Sequence, residues 1–209
     1  PLTLALSVLS ALSAAAALAQ KPPVDFDVPW IGYDVTTYPN GLGPGSRMGD
    51  LNGDGVPDLA AASAVVGKGL LVVLSDGIGG FLPSTFYATA NAGNDLELAD
   101  FDQDGDLDVA LLQWSLGSNS NQFQLLLNQG SGTFTAGGSF AVGQSPNRID
   151  VADFNADGRP DVAVANQGAQ TTVAFANGPG TFGNPLPLFI DGGTFDVAAG
   201  DVNGDGRPD

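Results

Sequence analysis

The stretch DFDQDGDLDVA, residues 100–110, places five aspartates within nine positions and then continues directly into apolar residues. Closely related stretches are DLNGDGVPDLA at 50–60, DFNADGRPDVA at 153–163 and DVNGDGRPD at 201–209. All four follow the pattern Asp-x-Asn/Asp-x-Asp-Gly-x-x-Asp. Carboxylates held this close together repel one another unless a cation lies among them. The pattern therefore indicates loops that bind a metal ion.

The ligands that these loops offer are those of a hard cation such as Ca²⁺, which takes about six to eight oxygen atoms. Side-chain oxygens at the first, third, fifth and ninth positions converge if the loop curls, and the seventh residue contributes its main-chain carbonyl. Glycine at the sixth position permits the curl. The predicted calcium ligands are Asp50, Asn52, Asp54, Val56 and Asp58; Asp100, Asp102, Asp104, Asp106 and Asp108; Asp153, Asn155, Asp157, Arg159 and Asp161; and Asp201, Asn203, Asp205, Arg207 and Asp209. One Ca²⁺ for each loop gives four ions, or three if the fourth loop, which no apolar strand follows in this sequence, does not bind one.

Two other structures could carry a similar sequence. An EF-hand begins in the same way but closes with Glu at its twelfth position and continues as a helix. The twelfth residues here are Ala61, Leu111 and Val164, and short apolar runs typical of buried strands surround them. Metal-free Asp/Gly turns are the simpler alternative, but turn chemistry does not require acids at the same offsets four times.

The acidic loops are part of a longer repeat, because they begin at residues 50, 100, 153 and 201. A second marker recurs with them: DGIGGF, NQGSGTF and ANGPGTF place Phe81, Phe134 and Phe182 each 19 residues before the next loop. Two markers in step define one repeated unit of about 50 residues, a period typical of propeller blades.

Each unit divides into four predicted strands. The segment before the acidic loop forms the first strand, the apolar run after it the second, and segments such as FQLLLN the third. The marker Phe begins the fourth and is predicted to be a core residue between blades. The sequence therefore predicts an all-β fold: a β-propeller of four-stranded antiparallel blades, present as an incomplete arc of about three to four blades.

Composition excludes several classes of function. A net charge of −17 argues against nucleic acid and anionic membranes as partners, since both attract positive surfaces. The sequence has no His and no Cys. Zinc sites of the Cys/His kind, Cys nucleophiles, Ser-His-Asp triads and disulfides are therefore impossible within it.

The N-terminal segment indicates export. Residues 1–19 are apolar, uncharged and end in Ala-Leu-Ala, which predicts a signal peptide clipped at its start, with cleavage before Gln20. A transmembrane anchor is the alternative, but the serines and alanines make the run too weakly apolar. We expect a secreted or cell-surface protein whose mature chain does not insert into the membrane. Residues 20–49 would carry a strand, led by Phe26, that closes the ring, and residues 50–209 the propeller repeats, truncated at the C-terminus.

The acidic loop, the apolar strand after it and the LLLNQGSGTF hairpin together resemble the FG-GAP/VCBS repeat family, which includes the calcium-bearing blades of integrin alpha-chain propellers. The resemblance covers residues from about 26 to 209. It implies a propeller fold with calcium at the loop residues named above, but it does not imply an integrin function, because such folds serve many extracellular proteins.

Two functions follow as expectations. The first is a secreted calcium-binding module for extracellular binding or adhesion, non-catalytic in this segment. The alternative is the propeller scaffold of an exported carbohydrate-active enzyme of the polysaccharide lyase type, with catalytic residues elsewhere. Expected partners are a protein or carbohydrate of unknown identity, or the remainder of the same propeller. Trp114 with the loop at 115–122 is a candidate contact surface, although Trp114 packing against a neighbouring blade is the preferred alternative.

Overall fold

The computed structural model describes residues 42–114, 121–168, 170–188 and 193–209. They belong to the second of two compact units, which spans Tyr38–Asp209. The predicted signal peptide, the proposed strand around Phe26 and the 115–120 loop lie outside the described residues. Within those residues the fold is all-β, as predicted, with three four-stranded antiparallel sheets that form an open arc of propeller blades.

Each sheet corresponds to one predicted repeat. The first blade contains β1 (Leu42–Gly49), β2 (Asp58–Ser63), β3 (Leu70–Val73) and β4 (Thr85–Tyr87). The second contains β5 (Ala92–Ala99), β6 (Asp108–Trp114), β7 (Gln122–Asn128) and β8 (Phe134–Ala141). The third contains β9 (Pro146–Ala152), β10 (Asp161–Asn166), β11 (Thr171–Ala174) and β14 (Leu186–Leu188), with a small hairpin of β12 (Ala176–Gly178) and β13 (Thr181–Phe182) inserted before β14.

The acidic loops join the first and second strands of each blade. In all three sheets the residue before the first Asp pairs directly with the ninth-position Asp: Gly49 with Asp58, Ala99 with Asp108, and Ala152 with Asp161. This common register places the loops at corresponding ends of neighbouring blades.

The core lies between blades. Strand β6 supplies both interfaces, because successive side chains of a strand point to opposite faces. Val109 and Leu111 pack with the first blade, whereas Ala110 and Leu112 pack with the third. All four side chains are fully buried. The apolar run after the acidic loop is therefore continuous rather than alternating, since both faces of the middle blade are covered.

The first strands of neighbouring blades lie side by side. Side chains of β5 form hydrogen bonds with the backbone of β9, the first strand of the third blade. Asp95 is buried, and its Oδ2 accepts a hydrogen bond from the backbone N–H of Ile149 (3.2 Å). Asn94 donates its side-chain amide to the carbonyl of Asn147 (3.0 Å). An Arg47–Glu97 ion pair connects the first two blades. The bonds made by Asp95 and Asn94 satisfy backbone groups that the edge of the neighbouring sheet leaves unpaired.

The marker phenylalanines only partly follow the sequence prediction. Phe134 begins β8, is buried, and meets Tyr87 of the first blade edge-on at 5.4 Å. Phe182 packs against the second blade, 5.1 Å from Phe123, but it lies in the inserted hairpin and not in the fourth strand. Phe81 makes an isolated bridge with Ser75 and is 44% exposed. The fourth strands of the first and third blades begin after the marker, past Pro83 and Pro185, because proline has no N–H to donate to a strand ladder.

The fourth repeat departs from prediction in its first strand. Residues 193–200 form no strand, because a strand needs a hydrogen-bonded neighbouring strand and the described residues provide none. Side chains of β9 hold the segment instead. Asn147 donates its side-chain amide to the carbonyl of Phe195, and Asp150 accepts from the N–H of Ala199 at 2.6 Å.

Candidate metal centre

The first aspartate of each loop gathers backbone N–H groups around its carboxylate. Its Oδ1 accepts from the fifth residue and its Oδ2 from the sixth, which is glycine. In the first loop these bonds are Asp54 N to Asp50 Oδ1 (3.1 Å) and Gly55 N to Asp50 Oδ2 (2.7 Å). The same two bonds form at Asp100, Asp153 and Asp201. The four loops therefore adopt one conformation.

The sixth-position glycine makes that conformation accessible. Gly55, Gly105, Gly158 and Gly206 all have φ between 82° and 100°, which side chains other than glycine rarely adopt. The N–H of Gly55 is the main cause that lowers the pKa of Asp50, and the N–H of Gly206 does the same for Asp201. The conformation thus favours a negative charge at the first ligand position.

The third and fifth residues also fold back into the loop. In the first loop, Asn52 Oδ1 accepts from the N–H of Asp54 (3.0 Å), and Asp54 Oδ1 accepts from the N–H of Val56 (2.8 Å). Equivalent bonds form in the third loop at Asn155 and Asp157, and in the fourth at Asn203 and Asp205. In the second loop Asp104 accepts from the N–H of Asp106. These side chains are thus turned toward the loop interior.

The ninth aspartate has a second role that the sequence did not reveal. Asp58, Asp108 and Asp161 are fully buried. One oxygen accepts from the second residue of the loop, and the other accepts from the residue at or just after the end of the third strand. For Asp58 these donors are the N–H groups of Leu51 (2.9 Å) and Ser75 (2.7 Å). For the other two they are Phe101 with Asn128 and Phe154 with Ala176.

This buried aspartate ties the acidic loop to its own blade through backbone hydrogen bonds. Ser75, Asn128 and Ala176 occupy one position of the repeat, two residues before a glycine-bearing turn. That alignment was the available signal for their role. In the fourth loop Asp209 is exposed, although its Oδ2 still accepts from the N–H of Val202 (3.1 Å).

The second loop is the strongest metal candidate. Among the described residues, one group of three acidic side chains can place ligand atoms within 4.8 Å of one another: Asp100, Asp102 and Asp108. Asp102 Oδ1 is buried and has no hydrogen-bond partner. Burial, helped by repulsion from Asp104, raises the pKa of Asp102, and burial raises the pKa of Asp108 to about 6. The unpartnered oxygen and the buried charges are both unfavourable in the folded protein, and a bound divalent cation would compensate for them.

In the other loops, some carboxylates are paired with side chains of the same loop. Asn52 donates its side-chain amide to Asp54 Oδ2 (3.0 Å), and Asn203 donates to Asp209 Oδ1 (3.3 Å). In the third loop the guanidinium of Arg159 pairs with Asp157 Oδ2 at 3.0 Å. Within the second loop, the predicted ligand Asp104 at the fifth position lies outside the cluster of Asp100, Asp102 and Asp108. Aspartate at the third position therefore distinguishes the second loop from the others.

The donor set fits Ca²⁺. It consists of carboxylate, amide and carbonyl oxygens on a tightly curled loop, without the nitrogen or sulfur ligands that transition metals prefer.

Trp114, the candidate contact residue, ends β6 and is 40% exposed.

Comparison with known families gives one result. A model of FG-GAP-like repeats matches the chain three times, at residues 50–111, 113–164 and 153–209. These segments together contain all four acidic loops. No curated protein matches the chain. Within the described residues, no helix is long and apolar enough to cross a membrane.

Proposed function

Because the chain belongs to the FG-GAP-like repeat family, we propose that it is a calcium-stabilised β-propeller module for extracellular binding or adhesion. The observation that carries the calcium part is the second loop, where three carboxylates converge and one buried oxygen of Asp102 has no partner. The remaining loops share its conformation and take calcium in the same way, with amide oxygens replacing one carboxylate.

The calcium ions have a structural role in this proposal. The loop residues offer about five protein oxygens to each ion, which leaves little of the coordination shell open to a substrate. An ion that binds only the folded blade stabilises it by mass action. Calcium would therefore brace the connection between the first and second strands and leave partner binding to other surfaces.

A pair of variants in the second loop tests this role. Asp102→Ala removes the side chain with the unpartnered buried oxygen, whereas Asp106→Ala removes the same charge from a residue that offers only its carbonyl. Thermal unfolding in calcium and in chelator is the measurement. We expect Asp102→Ala to lose a large part of the calcium-dependent rise in melting temperature and Asp106→Ala to keep it. Equal losses would contradict the ligand assignment.

The extracellular location rests on the family and on the N-terminal sequence. FG-GAP repeats are typical of extracellular proteins, and residues 1–19 carry the pattern of a signal peptide. N-terminal sequencing of protein recovered from the medium or cell surface should begin at Gln20. Protein found only inside the cell, with residues 1–19 intact, would overturn this part of the proposal.

The binding partner is proposed only as a class, a protein or a carbohydrate. Trp114 supports this choice because an exposed aromatic side chain at a strand end offers a flat surface for sugar or protein contacts. Binding to arrayed polysaccharides and extracellular matrix proteins, compared between wild type and Trp114→Ala, would test it. Polysaccharide cleavage by the purified chain would favour the alternative of a carbohydrate-active enzyme.

A further inference from the structure

Asn128 connects two neighbouring acidic loops. It is the last residue of β7 and is 1% exposed. Its backbone N–H donates to Asp108 Oδ1 of the second loop (2.8 Å), and its side-chain amide donates to the carbonyl of Leu51 in the first loop (2.8 Å). The same amide also donates to the carbonyl of Leu107 (3.1 Å). One buried residue thus contacts both loops.

The connection extends to the ninth-position aspartate of each loop. The N–H of Leu51 donates to Asp58 Oδ2 (2.9 Å), while the carbonyl of Leu51 accepts from Asn128. Two residues, Leu51 and Asn128, therefore link the carboxylate of Asp58 to that of Asp108 by hydrogen bonds. Leu51 lies between Asp50 and Asn52, the first and third predicted ligands of its loop. In the curled loop, both the N–H and the carbonyl of Leu51 are hydrogen-bonded.

The second and third loops have no buried amide link of this kind. Ala176 occupies the position of Asn128 and holds Asp161 by its N–H (2.8 Å), but it has no amide to offer. The carbonyl of Phe101, which corresponds to that of Leu51, instead accepts from the N–H of Gly180 in the hairpin turn (2.8 Å). The chain therefore offers an internal comparison between a loop pair joined by a buried side-chain amide and a pair joined at the surface, where Gln103 Nε2 donates to the carbonyl of Gly158 at 3.4 Å.

We propose that Asn128 is a positioning residue that couples calcium binding at the first and second loops. This inference rests on the proposed calcium function. Calcium at the second loop fixes Asp108, which fixes Asn128 and, through its amide, the Leu51 peptide of the first loop. Occupancy of the second loop raises calcium affinity at the first, and the reverse holds equally, because coupling between two sites is reciprocal. The second and third loops are coupled more weakly.

Calcium titrations followed by NMR can resolve the loops, because the sixth-position glycine amides report on each one separately. Asp102→Ala weakens the second loop, and the Gly55 amide then reports the effect on the first. We expect this substitution to weaken calcium binding at the first loop about fivefold or more, within the range typical of coupled sites. In the Asn128→Ala background the same substitution should change that affinity less than about twofold. Gly158 should report the same, smaller change in both backgrounds, because its contact with the second loop is made by Gln103 and not by Asn128.

Two further variants keep the test decisive. Gln129→Ala is the matched control, since Gln129 is the next residue but contacts only its own hairpin, and it should retain the coupling. If Asn128→Ala does not fold, Asn128→Ser takes its place, because Ser75 already holds Asp58 from the equivalent position. Serine keeps the backbone donor but cannot reach the Leu51 carbonyl.

The outcomes separate the coupling from calcium binding itself. Glycine amides that respond to calcium, together with an Asp102→Ala effect that persists without the Asn128 amide, would overturn the coupling and leave the calcium function intact. Amides that do not respond to calcium in the wild type would overturn both.

Discussion

Replacing Asp58 with alanine should destabilise the protein even when no calcium is present. Asp58 is fully buried, and its two oxygens accept from the N–H groups of Leu51 and Ser75, both of which are buried as well. Removing the carboxylate leaves two buried donors without partners. Each such group costs about 1–3 kcal/mol, so for two groups we expect the free energy of unfolding to fall by about 2–6 kcal/mol.

Urea unfolding followed by circular dichroism, in chelator and again in calcium, measures this loss. Asp58→Asn should lose about half as much, because its amide oxygen still accepts one bond while its NH₂ group faces a donor. Asp54→Ala is the control within the same loop. Asp54 is exposed, so its removal should leave stability in chelator close to that of the wild type while reducing the stabilisation by calcium.

The reasoning would be refuted if Asp58→Ala lost less than about 1 kcal/mol in chelator. It would also be refuted if Asp58→Ala and Asp54→Ala behaved alike in chelator, because the ninth position would then act only as a metal ligand.

Three further predictions concern other parts of the described structure. In chelator, the stability difference between wild type and Asp108→Asn should shift against the wild type as pH rises from about 4 to about 6. Burial raises the pKa of Asp108 to about 6 from 3.8, so the folded state holds this proton more tightly than the unfolded state, and up to about 3 kcal/mol is lost over that window; a flat difference in urea titrations would contradict this. Gly45→Ala should cost about 1–3 kcal/mol, because its Cβ would meet Asp95 and the backbone N of Leu96, whereas Gly200→Ala meets nothing within 4 Å; equal melting temperatures for these two variants would argue against close packing of β1 on β5. Phe134→Ala should cost about 3–5 kcal/mol by opening a cavity between the first two blades, and a loss below about 1 kcal/mol in urea would show that this side chain is not part of the core.

The sequence predicted the repeating elements of this fold because the repeat shows each pattern several times. Four acidic loops in one register predicted the curled conformation, and the apolar runs after them predicted strands buried on both faces. Phe134 is where the marker phenylalanine was expected. Phe182 is not: its Gly-rich turn has the same length as the turn before Phe134, but Pro185, which has no N–H for the ladder, follows Phe182 before the fourth strand begins.

Contacts between residues distant in the sequence could not be predicted in this way. The buried bonds of Asp58 depend on Ser75, and those of Asp108 depend on Asn128, so the second role of the ninth position becomes visible only when the third strand is placed. The bonds from Asn94 and Asp95 to the next blade join residues about 50 positions apart and leave no periodic signal. The difference between the second loop and the others was visible in the sequence, because its third position is Asp102 where the other loops have asparagine.

Calcium binding is the central claim, and calorimetric titration of the metal-free protein with Ca²⁺ tests it most directly. The account predicts three or four binding events for the wild type and one fewer for Asp102→Ala, with Asp106→Ala unchanged. Absence of binding heat, together with equal melting temperatures in calcium and chelator, would contradict it and leave the acidic loops as metal-free turns.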